Sequence, residues 1–414
     1  MYDFDIAVVG GGAAGMLASI VAAGQGARTL LLEQNSKLGR KLLITGKGRC
    51  NLTNDCTVAE VLENIPTGTK FLQSALNGYS PRDVISFFES LGVALKTERG
   101  GRVFPKSDKS YDIVDALHKK VKKSGVTIKT SKVSGVLRND GEISGVETES
   151  GVIGCRAVII ATGGVSYPET GSTGDGHKIA SDVGHTITPL TGSLVPLKAE
   201  SGMCARMQGL TLKNVFLSVY DGSRKPIFED LGELLFTHFG ISGPLALSAS
   251  AHMRDFGSKE YHVIVDIKPG LDEKKLDLRI LRDFEKNSNR DFSNALGGLL
   301  PKLMIPVIVE KSAIPPDAKV HSIIREKRLG LVSLLKAFRI DIDGPRPLEE
   351  AVVTSGGVCL REINPKTMES KLVKGLYFAG EVIDADAYTG GFNLQIAWST
   401  AHAAASAAAL CGGK

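Results

Sequence analysis

The sequence predicts an α/β fold: a parallel sheet with helices on its faces, interrupted by an inserted β-rich domain. Three observations carry this. An apolar run, Ile6-Ala7-Val8-Val9, leads directly into Gly10-Gly11-Gly12-Ala13-Ala14-Gly15 and reads as a buried strand opening onto a helix. A second apolar run, Thr29-Leu30-Leu31-Leu32, ends in Glu33. From Leu194 the pattern changes to short alternating segments, and near 346 the first pattern returns, closing in an alanine-rich helix up to Leu410.

Gly10, Gly12 and Gly15 hold the G-x-G-x-x-G spacing. The first glycine permits the tight turn, the second lets backbone approach a pyrophosphate, and the third lets the helix pack on the sheet. The helix carries Ala14, Leu17, Ala18, Val21 and Ala22 on one face and stops near Gly24 and Gly26. Its N-terminus offers Ala13 and Ala14 N–H groups and a positive dipole end to a diphosphate. Glu33 lies eighteen residues past Gly15, where a ribose hydroxyl needs an acceptor, with Gln34 beside it. A lone glycine motif is weak evidence, but strand, turn, helix, strand and acid in order predict a Rossmann-like dinucleotide site.

With 414 residues, 43% hydrophobic and 23% charged, the chain is long enough for two or three ordinary domains. A net charge of +5 is small for this length and argues for neither nucleic acid nor membrane. The N-terminus carries no basic or apolar leader pattern, and a cytoplasmic location is expected. The cysteines form no C-x-x-C pair and the histidines are scattered, so no metal site is predicted. Cys50 and Cys56 are read as reduced thiols, because five residues separate them where a flavin disulfide reductase pair has four.

Residues 39–54 (GRKLLITGKGRCNLTN) combine glycines with four cations and short polar residues, and read as a loop too irregular for a long helix. Such a loop can bring backbone N–H groups and positive charge to a phosphate or a polar ring edge; a solvated basic loop has the same composition. The segment resembles the signature of a bacterial flavoprotein family that includes BaiN-type bile-acid enone reductases and an aminoacetone oxidase, within the two-dinucleotide-binding-domain flavoproteins. The resemblance spans almost the whole chain and is weakest over 245–345. It implies non-covalent FAD, lined by Arg40, Lys41, Thr45, Gly46 and Asn51 from pyrophosphate to isoalloxazine.

Ser80-Pro81-Arg82-Asp83 reads as a helix start running to Leu91. Val93–Phe104 reads as a hairpin, and Asp112–Lys123 as an amphipathic helix. Three strands follow over 126–148, turning at Asn139-Asp140-Gly141; by resemblance, Val133 backbone meets the adenine. Ala161-Thr162-Gly163 after the strand 156–160 resembles the turn by which such chains return to FAD. No second G-x-G-x-x-G follows a strand, so NAD(P)H, if it is the donor, docks transiently.

The expected FAD domain is 1–193 with 346–414. The insertion, 194–345, is a mixed β/α substrate domain with a small helical piece at about 271–330. Within it, residues 234–244 read as a strand feeding a helix through a polar turn, where His238 is a candidate acid beside the alternative of a satisfied structural histidine. After 354–358 a hairpin is expected. Gly380, Glu381 and Asp384, which by resemblance bind the cofactor, follow the last buried strand, and Thr389-Gly390-Gly391-Phe392-Asn393-Leu394 opens the final helix. Gly391, Asn393 and Leu394 point, by resemblance, to the pyrimidine edge of isoalloxazine, which becomes negative on reduction.

These features imply an FAD-dependent oxidoreductase acting on a small molecule. Reduction of a conjugated C=C bond in a 3-oxo-enone is favoured over oxidation of an amino compound, because no carboxylate clamp for an amine stands near the flavin motifs. Candidate proton donors are His238, Tyr388 and Arg49. A flavin-bearing RNA-associated protein is the alternative of another class, without a recognisable nucleic-acid motif. Oligomeric state is not legible.

Overall fold

The computed structural model describes residues 2–199 and 201–411. The chain divides into two compact units, 1–193 with 348–414, and 194–347. The first unit begins with β1 (Phe4–Val9), α1 (Ala13–Gly24) and β2 (Thr29–Glu33), in the order the glycine motif predicts. Then come α2 (Arg40–Gly48), β3 (Thr53–Asn54), α3 (Val58–Glu63), α4 (Thr69–Gly78) and α5 (Pro81–Ser90). The hairpin β4 (Leu95–Glu98) and β5 (Arg102–Pro105), then α6 (Ser110–Lys123), complete this stretch. Ser80 caps α5 in a reciprocal box with Asp83, with Pro81 in the first turn; two orphan N–H groups of the helix end are thereby satisfied.

β6 (Thr127–Thr130), β7 (Val133–Asn139), β8 (Glu142–Thr148) and β9 (Gly151–Ile160) follow, then α7 (Asp175–Asp182) and β10 (Thr191–Ser193). The sheet order is β6-β2-β1-β9-β8-β7. The first half of β9 pairs antiparallel with β8, while its second half lies parallel to β1. Every residue from Ile6 to Val9 is buried, which is why this strand reads as a continuous apolar run.

The second unit contains β11 (Leu197–Ala199), α8 (Ser201–Arg206), β12 (Thr211–Tyr220), β13 (Phe228–Thr237), β14 (Gly240–Ser242), α9 (Gly243–Ser250) and β15 (Tyr261–Asp266). Helices α10 (Glu273–Lys286), α11 (Phe292–Ala295), α12 (Ile305–Ser312) and α13 (Arg325–Lys336) precede β16 (Phe338–Pro345). Its strands close into a barrel, β11-β14-β13-β12-β15-β16. Strict alternation of buried and exposed residues along β16 places one face of each strand in the barrel core.

Back in the first unit, β17 (Val353–Ser355) pairs antiparallel with β10. β18 (Leu376–Phe378) adds to β9, with Phe378 opposite Ile160, and α14 (Phe392–Cys411) follows. Helices α1, α6 and α14 share one core with the sheet, around Trp398 and Leu17. The opposite face is covered by Ile179, Val146, Leu72 and their neighbours.

Three expectations are corrected. The 39–54 segment begins as a helix and breaks at Thr45, where Gly46 and Lys47 turn left-handed. Between the 228–237 strand and helix α9 a further strand, β14, intervenes, because residues 235–237 fold back on 240–242. The hairpin expected after 358 is a 3₁₀ turn at Leu360–Glu362 with isolated bridges such as Ile363↔Ser370. Gly344 and Pro345 pair with β11, and the first unit resumes at 348.

Candidate active site

Strands β1, β2, β9 and β18 end in register: Val9 lies opposite Leu32 and Ile160, and Ile160 opposite Phe378. Gly10, Glu33, Ala161 and Ala379 therefore share the carboxyl edge of the sheet, where α/β folds bind ligands. Gly10 has φ +105° and lies against the carbonyl of Ala161, where a Cβ would overlap backbone. Gly15 is equally constrained, against the Gly10 carbonyl.

Gly12 differs. It caps α1 with φ −79°, and a Cβ built on it meets nothing within 4 Å. The opening therefore lies in front of the first-turn N–H groups of Ala13, Ala14 and Gly15, which a helix leaves without intrahelical partners. Glu33 borders it: Oε2 accepts from Gly11 N–H at 2.6 Å, and Oε1 accepts from Asn35 N–H and Nδ2 at 2.8 and 2.7 Å. Gln34 donates from Nε2 to the Gly171 carbonyl at 2.8 Å, so its amide secures the 167–174 loop. Val133 starts β7 with a buried side chain. Gly163 is left-handed, and the Thr162 hydroxyl is buried without a partner.

Arg40 donates to Asn35 Oδ1 at 2.6 Å. Lys41 Nζ pairs with Glu381 Oε2 at 2.7 Å and donates to Ser166 Oγ at 2.7 Å. Glu381 also accepts from Ser166 Oγ and from Thr354 N–H, through Oε1. Lys41 and Glu381, both assigned to the cofactor by resemblance, are thus partners of each other. Thr45 Oγ1 donates to the Leu42 carbonyl, and a Cβ on Gly46 would crowd Asn51 N. Asn51 Oδ1 is buried and unpartnered.

Arg49, a candidate proton donor from the sequence, is held in ion pairs. Its Nη1 pairs with Glu98 at 2.8 Å and Asp108 at 3.1 Å, and its guanidinium lies 4.0 Å from the centre of the Phe104 ring. The hydrogen bond to Glu98 first, and that to Asp108, raise its already high pKa. The two thiols are free. Burial pushes Cys50 up to about 12, and burial with the Glu60 and Asp55 charges pushes Cys56 up to about 11. Neither forms a ready thiolate.

At the start of α14, Gly391 has φ +98° and lies against Thr53 backbone. Gly380 is left-handed, its N–H bonded to Thr400 Oγ1, and Asp384 N–H bonds the Val358 carbonyl. Asn393 uses both ends of its amide on the preceding loop. Oδ1 accepts from Ala387 N–H at 2.9 Å, and Nδ2 donates to the Ala387 and Tyr388 carbonyls at 2.6 and 3.3 Å. Its side chain shapes the loop. Leu394 packs against the first core. Tyr388 is half-buried, with its N–H on the Asn64 carbonyl.

Thr53, Asn54 and Gln395 were not read from the sequence. Thr53 Oγ1 bonds Gln395 Oε1 at 2.6 Å, and Asn54 Nδ2 bonds the Gly390 carbonyl at 3.1 Å, tying β3 to α14. The polar residues of Asn51-Leu52-Thr53-Asn54 were the available signal. His238 lies in the second unit, exposed on the turn between β13 and β14 with its ring edge-on to Phe239. Among the described residues no group of three or more His, Cys, Asp or Glu can hold a metal, and no helix is long and apolar enough to cross a membrane.

Fold and site together define an α/β dinucleotide-binding protein. Residues 4–407 match the HI0933-like protein Rossmann domain, and the chain belongs to that family. It is 31% identical over 417 residues to the 3-dehydro-bile acid delta(4,6)-reductase of Clostridium scindens, covering 98% of both chains. It is 33% identical over 408 residues to the ribosomal RNA dihydrouridine synthase of Escherichia coli, again 98% of both. Among solved structures, the 3-ketosteroid-delta4-(5alpha)-dehydrogenase of Rhodococcus jostii RHA1 superposes with a TM-score of 0.53 at 15% identity, covering 99% of this chain and 98% of that one. This last likeness concerns the fold.

Proposed function

We propose that the chain is a cytoplasmic FAD-dependent oxidoreductase that reduces a carbon–carbon double bond conjugated to a carbonyl. The observation that carries the reading is the open approach at Gly12, bounded by the α1 N-terminus and the Glu33 carboxylate. The residues fit FAD. The first turn of α1 takes the diphosphate and Glu33 the ribose, while the unpartnered Asn51 Oδ1 and Thr162 Oγ1 are acceptors whose burial costs about 1–3 kcal/mol until a donor reaches them. When bound and reduced by NAD(P)H, the flavin would supply hydride to the β-carbon of the acceptor.

The names of the two relatives support the reaction class. A delta(4,6) double-bond system conjugated to a 3-oxo group and the C5=C6 bond of uracil, which is saturated in dihydrouridine, are both alkenes polarised by a carbonyl. The protein must stabilise the charge that develops toward the carbonyl and deliver one proton to the α-carbon. The α14 N-terminus favours negative charge, and Tyr388, four residues before helix residue Phe392, is our candidate proton donor. The donor of electrons is NAD(P)H, docking before the acceptor.

A 3-oxo-enone of steroid type is the first acceptor. A uracil ring in ribosomal RNA is the second reading, favoured by the 33% identity to the ribosomal RNA dihydrouridine synthase over 98% of both chains. The test is anaerobic. Photoreduced holoprotein is mixed with a 3-oxo-4-ene steroid or with ribosomal RNA lacking dihydrouridine, and flavin reoxidation and product mass are followed. Reoxidation by either acceptor supports the class and selects the substrate. Reoxidation by neither, together with rapid peroxide formation from an amine in a parallel aerobic assay, overturns it.

A further inference from the structure

We infer that Arg49 is a positioning residue that holds the elbow at residues 45–51 in the shape required by the flavin end of the cofactor. The inference rests on the FAD reading above. Within this elbow Gly46, Lys47, Gly48 and Cys50 all have positive φ, at +57°, +58°, +81° and +60°. Lysine and cysteine rarely adopt that region, and a run of such residues persists only where its surroundings over-determine it.

Three restraints do so here. Cys50 N–H returns to the Thr45 carbonyl at 3.0 Å, and Arg49 N–H to Gly46 at 3.3 Å. The Arg49 side chain supplies the third, lying over Phe104 and pairing with Glu98 through both terminal nitrogens, at 2.8 and 3.3 Å. Asp108 pairs with Arg49 as well, and Lys96 faces both carboxylates at 2.6 and 3.4 Å. Arg102 lies 3.8 Å from Glu98. The β4–β5 hairpin thus grips the elbow from the side.

Ion pairs this exposed contribute little to folding stability, so stability alone does not account for a strained loop gripped by a planar fork and a ring. The elbow leads into Asn51, whose Oδ1 is buried without a partner, and then into Thr53 and Asn54, which bond α14 and its Gly390 lead-in. Loosening Arg49 therefore shifts Asn51 and the backbone of Gly46–Gly48 relative to α14. Misplacement of about 1 Å in a positioned group is enough to change ligand affinity or rate by one to two orders of magnitude.

The test compares Arg49→Gln and Glu98→Gln with the unaltered protein, reading FAD affinity of the apoprotein by flavin fluorescence, the visible spectrum of bound flavin, and the apoprotein melting curve. Both variants are expected to melt like the parent, bind FAD about tenfold or more weakly, and lose fine structure in the flavin bands. If Arg49→Gln fails to fold, Glu98→Gln decides alone. Unchanged affinity and spectrum in a folded variant overturn the inference. So does an effect of Arg49→Gln without one of Glu98→Gln, which would mean that Arg49 touches the flavin itself. Failure of the parent to bind FAD would instead overturn the cofactor reading.

Discussion

Gly12→Val separates cofactor binding from folding, because the position is open in space and ordinary in backbone. At φ −79° and ψ −163° valine meets no backbone penalty, and its Cβ meets nothing within 4 Å. Removing a glycine lowers the entropy of the unfolded chain by about 0.4–1 kcal/mol, which offsets the poorer capping by valine at this N-cap, so the apoprotein should be about as stable as the parent. The branched side chain fills the approach to the first turn of α1. A diphosphate displaced from two N–H groups loses two charge-assisted hydrogen bonds of roughly 1.5–3 kcal/mol each. The sum, about 3–6 kcal/mol, corresponds to FAD affinity lower by about 10² to 10⁴. Fluorescence titration of the apoprotein measures the affinity, and a circular-dichroism melt measures the fold. A folded Gly12→Val protein binding FAD within threefold of the parent would refute the placement of the diphosphate.

Three other outcomes follow from the structure. Heat release and chromatography of the purified flavin should give FAD, since Glu33 and the Gly10–Gly15 turn serve an adenosine diphosphate; FMN alone would contradict that. Asn393→Asp should lower stability by about 2–3 kcal/mol, because a carboxylate cannot replace the donor to the Ala387 and Tyr388 carbonyls; an unchanged urea midpoint would show that the loop is held otherwise. His185 is buried, with Nδ1 3.1 Å from Glu362 and Nε2 2.8 Å from Ser370, and burial pushes its pKa below the ordinary value despite Glu362. Its contribution is therefore present above the unfolded value of about 6.5 and lost as pH falls toward the folded one. Urea midpoints between pH 8 and 5 should fall in the parent and fall less in His185→Gln.

What was legible in the sequence was local. The β1–α1–β2 unit follows from three glycines and an acid, and the start of α5 from Ser80, Pro81 and Asp83, because turn and cap chemistry act over a few residues. The barrel was read only as β-structure, since its closure depends on Leu197 meeting both Ile241 and Pro345, pairings across long stretches of chain. The partners of Arg49 were hidden for the same reason: Glu98 and Asp108 lie far along the sequence, and only the hairpin brings them to it. The left-handed Lys47 and Cys50 carry no propensity signal. Asn393 belonged to the right helix end, but which neighbour its amide chooses is set by the loop at 387–388.

The parallel part of the first unit's sheet receives a strand, β18, from far along the chain, and α14 packs on α1 across nearly the whole sequence. During synthesis the inserted barrel, with its own core, is complete once residue 347 has left the ribosome, whereas the nucleotide cradle still lacks β18 and α14. At roughly 5–20 residues per second the missing segment takes about 3–13 s to emerge. In that interval the carboxyl edge of β9 is uncovered and the flavin end of the cradle is unbuilt. Cofactor loading would therefore wait for β18 and α14, and a nascent chain stalled before β18 should hold a folded barrel and no flavin.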